Sequence, residues 1–247
     1  METHPNILKR TIGSRIQKYF TNKMLSIVDV PLVKSLRDKK ILEEKYGITA
    51  HYIPDGIQKE YLTKPPDPNR FRESFQLYDD FILFIGRLHP AKGPQVIIKS
   101  LPLVIKKRPR LKAVFIGQGD KAWLERIAVK LRVHNAVIFT GVISEELKIS
   151  AIDSSIAVVI PSLYDYVECF SLVTSEAWAR KKPVIASAIG ELRYRVRNGF
   201  NGLLVPPNDP KLLAQAILIL RDRCFSFSEK LLTDDEVAKM LLKIYKI

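Results

Sequence analysis

Six short apolar runs, each followed by a stretch with helical periodicity, constrain the fold more than any other feature of the chain. The runs cover Phe81–Ile85, Leu111–Ile116, Ala136–Phe139, Ile156–Ile160, Pro183–Ala186 and Gly202–Val205. Apolar runs of this length are typical of parallel strands that are covered on both faces. The helical patterns that follow them cover about 93–107, 120–132, 144–152, 171–180, 191–198 and 209–222. This alternation predicts right-handed βαβ units and an α/β fold with a doubly wound parallel sheet.

Residues 1–60 follow a different pattern. An apolar stripe recurs every four residues among basic residues, and its members are Leu8, Ile12, Ile16, Phe20 and Met24. This spacing predicts an amphipathic basic helix, which could lie on an anionic membrane but more commonly packs on a sheet or on a partner. A second helical pattern covers about 31–45, and Pro54-Asp55-Gly56 predicts a turn. The prolines between residues 65 and 68 predict a loop before the first strand of the sheet.

The net charge of +14 favours anionic partners such as phosphorylated ligands, nucleic acid or acidic lipid head groups. No basic motif interleaved with aromatic residues is present, so solvated helix faces account for most of this charge and nucleic-acid binding is not expected. No apolar run approaches the roughly 20 residues of a membrane-spanning helix, and the start of the chain lacks a secretory pattern. Cys169 and Cys224 have neither metal-ligand nor disulfide spacing. These features predict a basic cytoplasmic protein with reduced thiols.

A basic segment bounded by glycines, Gly86-Arg87-Leu88-His89-Pro90-Ala91-Lys92-Gly93, follows the first strand of the predicted sheet. Ligands of open α/β sheets bind beyond the carboxyl ends of the strands. Arg87 offers a forked donor, Lys92 offers a point charge, and the start of the next helix offers backbone N–H groups. The segment is therefore suited to a diphosphate, although two basic loop residues are by themselves more often solvated.

Two glutamates follow the fourth strand. Glu168 lies in the loop after Pro161-Ser162, and Glu176 lies eight residues later inside the next predicted helix. If Leu172 and Trp178 flank it, Glu176 faces the domain and becomes a buried or cleft carboxylate, which could accept hydrogen bonds from a ribose diol. Taken alone, either residue is better explained as an acid near a helix amino terminus.

Seven segments in order give the chain a specific resemblance to the C-terminal domain of family-4 glycosyltransferases, which have the GT-B architecture and a Rossmann-like sheet. The segments are Ile53-Pro54-Asp55-Gly56-Ile57, Gly86-Arg87…Lys92-Gly93, Ile116-Gly117-Gln118-Gly119-Asp120, Gly141-Val142-Ile143-Ser144, Pro161-Ser162…Glu168…Glu176-Ala177, Lys182-Pro183-Val184-Ile185-Ala186 and Asn201-Gly202-Leu203-Leu204-Val205. The match covers about residues 26–222. The segments fall at the predicted strand ends and helix starts, where ligands of such sheets bind.

The resemblance implies roles for four side chains. Arg87 and Lys92 would bind the diphosphate of a nucleoside-diphosphate sugar and stabilise the leaving nucleotide. Glu168 would lie near the donor sugar and, with Arg87 and Lys92, forms the expected catalytic set. Glu176 would bind the ribose hydroxyls. Members of the family retain anomeric configuration and use no metal, because the basic pair supplies the positive charge.

The resemblance also implies contacts from the backbone. These donor-binding positions are Gly86, Gly117, Gly119, Cys169, Phe170 and Ser171. The amides of residues 169–171 would reach sugar hydroxyls or phosphate, and the Gly117–Asp120 loop would lie near the base. No metal or other cofactor is expected.

Several small residues of the family pattern are replaced in this chain. Glycines are usual around Cys169 and Ser171, Lys181 stands where a glycine is usual, and a glycine pair appears as Gly190-Glu191. A glutamate usual a few positions later is Tyr194. Because glycine permits positive φ and close approach of the backbone, each replacement is expected to affect the donor site.

The resemblance divides the chain into three parts. Residues 1–55 would be the tail of an otherwise missing acceptor domain, 56–224 the nucleotide-sugar-binding domain, and 225–247, with a helix over Glu229–Tyr245, a crossing helix that returns to the first domain. A complete enzyme of this architecture binds its acceptor on the first domain. The resemblance therefore leaves three alternatives: the chain is a fragment, a separate polypeptide supplies the acceptor half, or the chain is a degenerate gene product. An acceptor held on a lipid would agree with a peripheral contact of the basic first helix at the inner face of a membrane.

Two functions remain open at this stage. The first is transfer of a hexose from a nucleoside-diphosphate sugar to a glycan, a lipid-linked carrier or a small acceptor, with retention. The second is a non-catalytic module that binds a nucleotide sugar or a partner. The sequence identifies neither the sugar, the base nor the acceptor.

Overall fold

The computed structural model describes residues 19–245, except for the side chain of Arg221. The chain divides into two compact units, Met1–Ile53 and Pro54–Ile247. Leu8, Ile12 and Ile16 of the predicted amphipathic stripe lie outside the described residues. Phe20 and Met24 are exposed on a helix, α1, whose described part covers residues 19–25.

The rest of the first unit is a short parallel pair of strands joined by a helix. β1 (Leu32–Val33) pairs in parallel with β2 (His51–Tyr52), and α2 (Leu36–Tyr46) connects them. The prediction of a helix over about 31–45 is therefore wrong at its start. Ser35 is extended and its side chain accepts a hydrogen bond from the backbone N–H of Asp38, an N-cap that places the beginning of the helix at residue 36.

The second unit contains a six-stranded parallel sheet with the order β5-β4-β3-β6-β7-β8. Its strands are β3 (Phe81–Ile85), β4 (Lys112–Ile116), β5 (Val137–Gly141), β6 (Ala157–Ile160), β7 (Val184–Ser187) and β8 (Gly202–Val205). The predicted doubly wound parallel sheet is confirmed. Four strands lie within their predicted segments, whereas β5 and β7 end two residues and one residue beyond theirs. The apolar runs predict these positions well because both faces of each strand are covered.

Helices cover both faces of the sheet. They are α3 (Glu60–Thr63), α4 (Pro68–Ser74), α5 (Pro94–Ile105), α6 (Lys121–Lys130), α7 (Glu145–Ser154), α8 (Leu172–Ala179), α9 (Leu192–Arg195), α10 (Pro210–Ile219) and α11 (Asp234–Tyr245). One apolar cluster contains Ile82 of β3 with residues of α5, α6 and α10, and a second contains Leu83 with residues of α3, α4, α7, α8 and α9. Adjacent residues of one strand thus point into opposite cores, as the pleat of a strand requires.

Further helix boundaries also differ from the sequence prediction, among them the end of α9, which lies at Arg195 and not near residue 198. The predicted proline loop ends at Asp67, and Pro68 begins α4, because a proline at the first helical position leaves no helical hydrogen bond unmade. The predicted C-terminal helix over Glu229–Tyr245 begins only at Asp234. Thr233 and Glu236 form a capping box there, with Glu236 N donating to Thr233 Oγ1 (3.3 Å) and Thr233 N donating to Glu236 Oε2 (2.8 Å).

The strand order reverses between β3 and β6. From β3 the chain continues outward through β4 and β5, and from β6 it continues in the opposite direction through β7 and β8. The loops after β3 and β6 therefore leave the sheet in opposite directions. In open α/β sheets such a reversal opens a crevice beyond the carboxyl ends of the two strands, where ligands bind.

Candidate functional site

The loops that follow β3 and β6 meet at this reversal. We call residues 86–93 the β3 loop and residues 161–171 the β6 loop. The backbone N–H of Leu163 donates to the carbonyl oxygen of Ala91 at 2.9 Å. Gly93 has a φ of 74°, and a Cβ atom built on it would lie 1.9 Å from the carbonyl oxygen of Pro161. Only glycine allows the two backbones to approach this closely, so the glycine at residue 93 fixes the geometry of the site.

Lys92 and Glu168, two residues predicted for the site, form an ion pair across the loops. Lys92 Nζ lies 2.8 Å from Glu168 Oε1, and Ser162 Oγ donates to the same oxygen at 2.6 Å. Glu168 is only 2% exposed, so these two donors compensate a carboxylate that is withdrawn from water. The ammonium group of Lys92 keeps N–H donors beyond the one directed at Glu168 and can bind a second anionic group.

Arg87 lies in the same loop with an exposed side chain. Within residues 19–245 its guanidinium has no hydrogen-bond or ion-pair partner. It lines an open cleft of about 700 Å³, and the other residues of the cleft are Leu88, His89, Pro90, Gln118, Gly119, Asp120 and Trp123. The cleft thus combines a forked cation with an aromatic wall, and its volume is in the range of small-molecule sites.

The wall of this cleft depends on close contact between the β3 loop and the segment after β4. A Cβ atom at Gly117 would lie 2.1 Å from the carbonyl oxygen of Gly86, and Leu88 N donates to the carbonyl oxygen of Gln118 at 2.8 Å. The predicted donor-binding glycines Gly86, Gly117 and Gly119 are therefore brought together beside Arg87.

Glu176 lies on α8 and is 9% exposed, in agreement with the predicted buried carboxylate. Its contacts are with α7 rather than with the Lys92–Glu168 pair. Lys148 Nζ lies 3.1 Å from Glu176 Oε1 and 2.8 Å from Glu145 Oε1, and the Tyr61 hydroxyl donates to Glu145. Burial raises the pKa of Glu176, while Lys148 acts in the opposite direction.

The second oxygen of Glu176 is an unsatisfied acceptor. Glu176 Oε2 is buried, and no residue in the described part of the chain donates a hydrogen bond to it. A buried acceptor without a donor is costly, so a ligand hydroxyl placed here would gain a hydrogen bond that the protein does not supply.

The end of the β6 loop presents three backbone donors at the start of α8. The N–H groups of Cys169, Phe170 and Ser171 make no hydrogen bond within residues 19–245. Groups of this kind at a helix amino terminus favour an anion or a hydroxyl oxygen. The Arg195 guanidinium lies beneath this turn, 4.2 Å from the centre of the Phe170 ring.

The positions at which the chain departs from the family pattern differ in backbone conformation and in burial. Lys181 has a φ of 56°, a conformation that favours glycine. Ser171, by contrast, has a φ of −91°, so its side chain causes no backbone strain. Glu191 is fully buried, and its N–H donates to the carbonyl oxygen of Glu168 at 3.0 Å. Tyr194 is exposed.

Four residues at or beside the site had no assigned role in the sequence prediction, namely Tyr61, Lys148, Ser162 and Arg195. The sequence of α7 does not indicate a role for Lys148, because the partner of Lys148, Glu176, lies on another helix. Ser162 could have been found, since it belongs to the Pro161-Ser162 motif. Nothing in the sequence indicates that Arg195 is buried.

The described residues hold neither a metal-binding cluster nor a membrane-spanning helix. Residues 19–245 contain no cluster of three or more His, Cys, Asp and Glu side chains arranged for a metal ion. None of the helices within that range combines the length and apolarity needed to cross a membrane.

The chain is similar in sequence and in fold to known glycosyltransferases. An uncharacterized glycosyltransferase of Methanocaldococcus jannaschii is 32% identical over 192 residues, which cover 72% of this chain and 48% of that protein. Sucrose-phosphate synthase from Thermosynechococcus elongatus has a similar structure, with 26% identity, a TM-score of 0.73 and coverage of 92% of this chain and 60% of that chain. HepE of Anabaena, solved with UDP and glucose, has a similar fold, with 19% identity, a TM-score of 0.70 and coverage of 89% and 63%.

The chain spans about half the length of the first of these relatives. The structural neighbours are GT-B glycosyltransferases, and the sheet of the second unit is the Rossmann-like sheet of that architecture. The family model described as "Glycosyl transferases group 1" matches residues 61–226, which include both loops of the site. The chain therefore belongs to the group 1 family of glycosyl transferases.

Proposed function

We propose that the second unit binds the donor of a glycosyltransferase reaction, in which a hexose passes from a nucleoside-diphosphate sugar to an acceptor with retention of configuration. The strongest support for this proposal is the position of Arg87. Arg87, with no protein partner in the described residues, lies in the same β3 loop as Lys92, which pairs with Glu168 at the reversal of strand order. A basic pair at this crevice is suited to a diphosphate.

In the proposed mechanism Arg87 and Lys92 stabilise the charge that develops on the nucleotide as the bond to the sugar breaks. Both are cations held by the β3 loop, so little reorganisation is needed at that moment. Lys92 can keep its contact with Glu168 while it donates to a phosphate oxygen. We propose that this charge makes a divalent metal unnecessary.

The remaining contacts follow from the free hydrogen-bonding groups. Glu176 accepts from the ribose hydroxyls, for which Oε2 is available. The amides of residues 169–171 reach the sugar or a phosphate, and Glu168 lies near the sugar. The base lies in the cleft beside Gly119 and Trp123. HepE was solved with UDP, so UDP is the first nucleotide to test.

The acceptor is then bound outside the sheet of the second unit. We propose a glycan, a lipid-linked carrier or a small molecule, held by an acceptor domain that a separate polypeptide can supply. A lipid-linked acceptor would bring the basic amino-terminal region to the inner face of a membrane.

A second candidate, a module that binds a nucleotide sugar without transferring it, is favoured by Glu191. This carboxylic acid side chain is fully buried where the family pattern has a glycine, and its backbone contacts that of Glu168. Turnover of a UDP-hexose by the protein together with candidate acceptor domains separates the two functions. Donor binding without any turnover would support the module.

The basic site is tested by comparing two arginines. Arg87→Ala removes one of the two cations of the proposed site. Arg110→Ala removes an exposed arginine that pairs with Asp79, and both of these residues lie at the amino-terminal ends of strands, away from the β3 loop. We expect Arg87→Ala to weaken UDP binding at least about a hundredfold, since a charge-assisted contact to phosphate is lost. Arg110→Ala should leave it unchanged, and neither variant should alter affinity for an RNA oligonucleotide. Equal losses on UDP and RNA would contradict the proposal and favour a general basic surface.

A further inference from the structure

Arg195 is a buried arginine at the end of α9 whose donors are directed at three different segments. Its side chain is 2% exposed. Nη1 donates to the carbonyl oxygen of Ser171 at 3.1 Å, and Nη2 donates to Ser175 Oγ at 2.8 Å. Nε and Nη2 also donate to Glu229 Oε1, at 3.2 and 2.9 Å.

The plane of the guanidinium is covered by aromatic rings. Its central carbon lies 4.2 Å from the centre of the Phe170 ring and 5.2 Å from that of Trp178. Cation–π contacts of this kind are strengthened when the cation is withdrawn from water. Arg195 therefore holds both the Phe170 side chain and the Ser171 carbonyl group, which belong to the turn with the free amides.

Glu229 supplies the counter-charge for this arrangement. It lies in the extended segment before α11, and its side chain is 31% exposed. A buried guanidinium that loses its carboxylate partner is strongly destabilised where it lies. The position of the C-terminal segment is thus linked through Arg195 to the β6 loop.

We propose that Arg195 is a positioning residue that fixes the backbone of residues 169–171 for the donor, and that Glu229 holds Arg195 in place. The consequence for donor affinity rests on the function proposed above, whereas the effect on the loop does not. A guanidinium is needed because its planar fork reaches Ser171, Ser175 and Glu229 at once, which an ammonium group cannot do.

The loop is monitored directly through Cys169, which is exposed and lies within the turn. In a Cys224→Ser background, a nitroxide spin label on Cys169 reports the mobility of this turn alone. We expect Glu229→Ala and Arg195→Lys to shorten the rotational correlation time of the label at least about twofold, because the turn is held less firmly and moves more. Arg197→Lys is the matched control, since Arg197 stacks on Phe200 and contacts Ser228 but has no contact with the β6 loop among the described residues.

The second readout is the affinity for UDP and for a UDP-hexose. We expect Glu229→Ala to weaken both about tenfold while the thermal unfolding of the variant stays cooperative. Label mobility equal to that of the Arg197→Lys control would overturn the inference, whatever the nucleotide affinities are. Higher label mobility in variants of a protein whose wild type binds no nucleotide would keep the loop role of Arg195 and refute only the proposed function.

Discussion

At the scale of single residues, the end of α8 carries a lysine in the left-handed region, with a φ of 56° at Lys181. The sequence comparison predicts a glycine at this position, and the backbone has kept the conformation that glycine favours. The side chain adds strain of about 1 kcal/mol that a glycine would not have.

Lys181→Gly is therefore expected to stabilise the protein. We predict a gain of about 1 kcal/mol in the free energy of unfolding and a rise of about 2–4 °C in melting temperature. Lys182→Gly is the control, because Lys182 is not among the described residues with positive φ, and this change should destabilise. An unchanged or lower melting temperature for Lys181→Gly would contradict the strain at this position.

The environment of Glu176 gives a second prediction at this scale. Burial raises the pKa of Glu176 and Lys148 opposes this effect, so Lys148→Met should raise it further. A carboxyl group whose pKa is raised by folding stabilises the protein below its unfolded pKa, and this contribution is lost as the pH rises through the folded pKa. The variant should match the wild type near about pH 4.5 and be less stable by about 1–3 kcal/mol near neutrality.

Urea unfolding over this pH range measures the effect. Lys148→Arg keeps the positive charge near Glu145 and Glu176 and should follow the wild-type curve closely. A constant difference between Lys148→Met and the wild type at every pH would mean that packing, and not the charge of Glu176, is responsible.

Individual residues of the site were predictable only where one of the seven segments of the family resemblance contains them. Arg87, Lys92, Glu168 and Glu176 were assigned from local segments, although their roles toward a ligand stay predictions. Arg195 had no role in the sequence prediction, because its burial depends on partners distant in sequence, here Ser171 and Glu229.

At the scale of elements, the site depends on the contact between the β3 loop and the β6 loop. Gly93 and Gly141 provide a matched pair, with φ values of 74° and 72°. A Cβ atom at Gly93 would overlap the Pro161 carbonyl oxygen, whereas none of the described atoms lies within 4 Å of one at Gly141.

Gly93→Ala should therefore damage the site more than Gly141→Ala. We predict a loss of about 2–4 kcal/mol in the free energy of unfolding and a loss of UDP binding for Gly93→Ala. Gly141→Ala should cost about 1 kcal/mol through backbone strain alone and keep UDP binding. Equal effects on stability would show that the approach of the two loops is not a constraint.

Strands were easier to predict than helix boundaries. A buried parallel strand is a continuous apolar run, and all six strands begin within their predicted segments, with only β5 and β7 ending beyond them. A helix begins where its cap lies, and the capping box at Thr233 and Glu236 places the start of α11 at Asp234, five residues after the predicted start at Glu229.

 The predicted helix extended back to Glu229 because the family resemblance on which it was based carries no information about the cap.

At the scale of the whole molecule, the net charge of +14 raises the question of whether anion binding is specific. A diphosphate held by Arg87 and Lys92 should bind more weakly as salt screens the two cations. We predict that UDP affinity falls several-fold between about 0.05 and about 0.5 M NaCl and is unchanged by EDTA. A loss of binding in EDTA would contradict the proposed metal-free site.

The architecture of the second unit was predictable from sequence because strand–helix alternation admits few topologies. The order β5-β4-β3-β6-β7-β8 then places the β3 and β6 loops together without further information. The proposed division at residues 55 and 224 and the origin of the acceptor domain depend on contacts beyond this unit, and they stay predictions.

The most direct test of the central claim is a calorimetric titration with UDP, GDP and ADP without added metal, on the wild type and on Glu176→Ala. We predict micromolar binding of one nucleotide, UDP first among them, and a loss of that binding in the variant because the ribose contact is removed. No binding of any of the three to the wild-type protein would contradict a nucleoside-diphosphate site at the reversal of strand order.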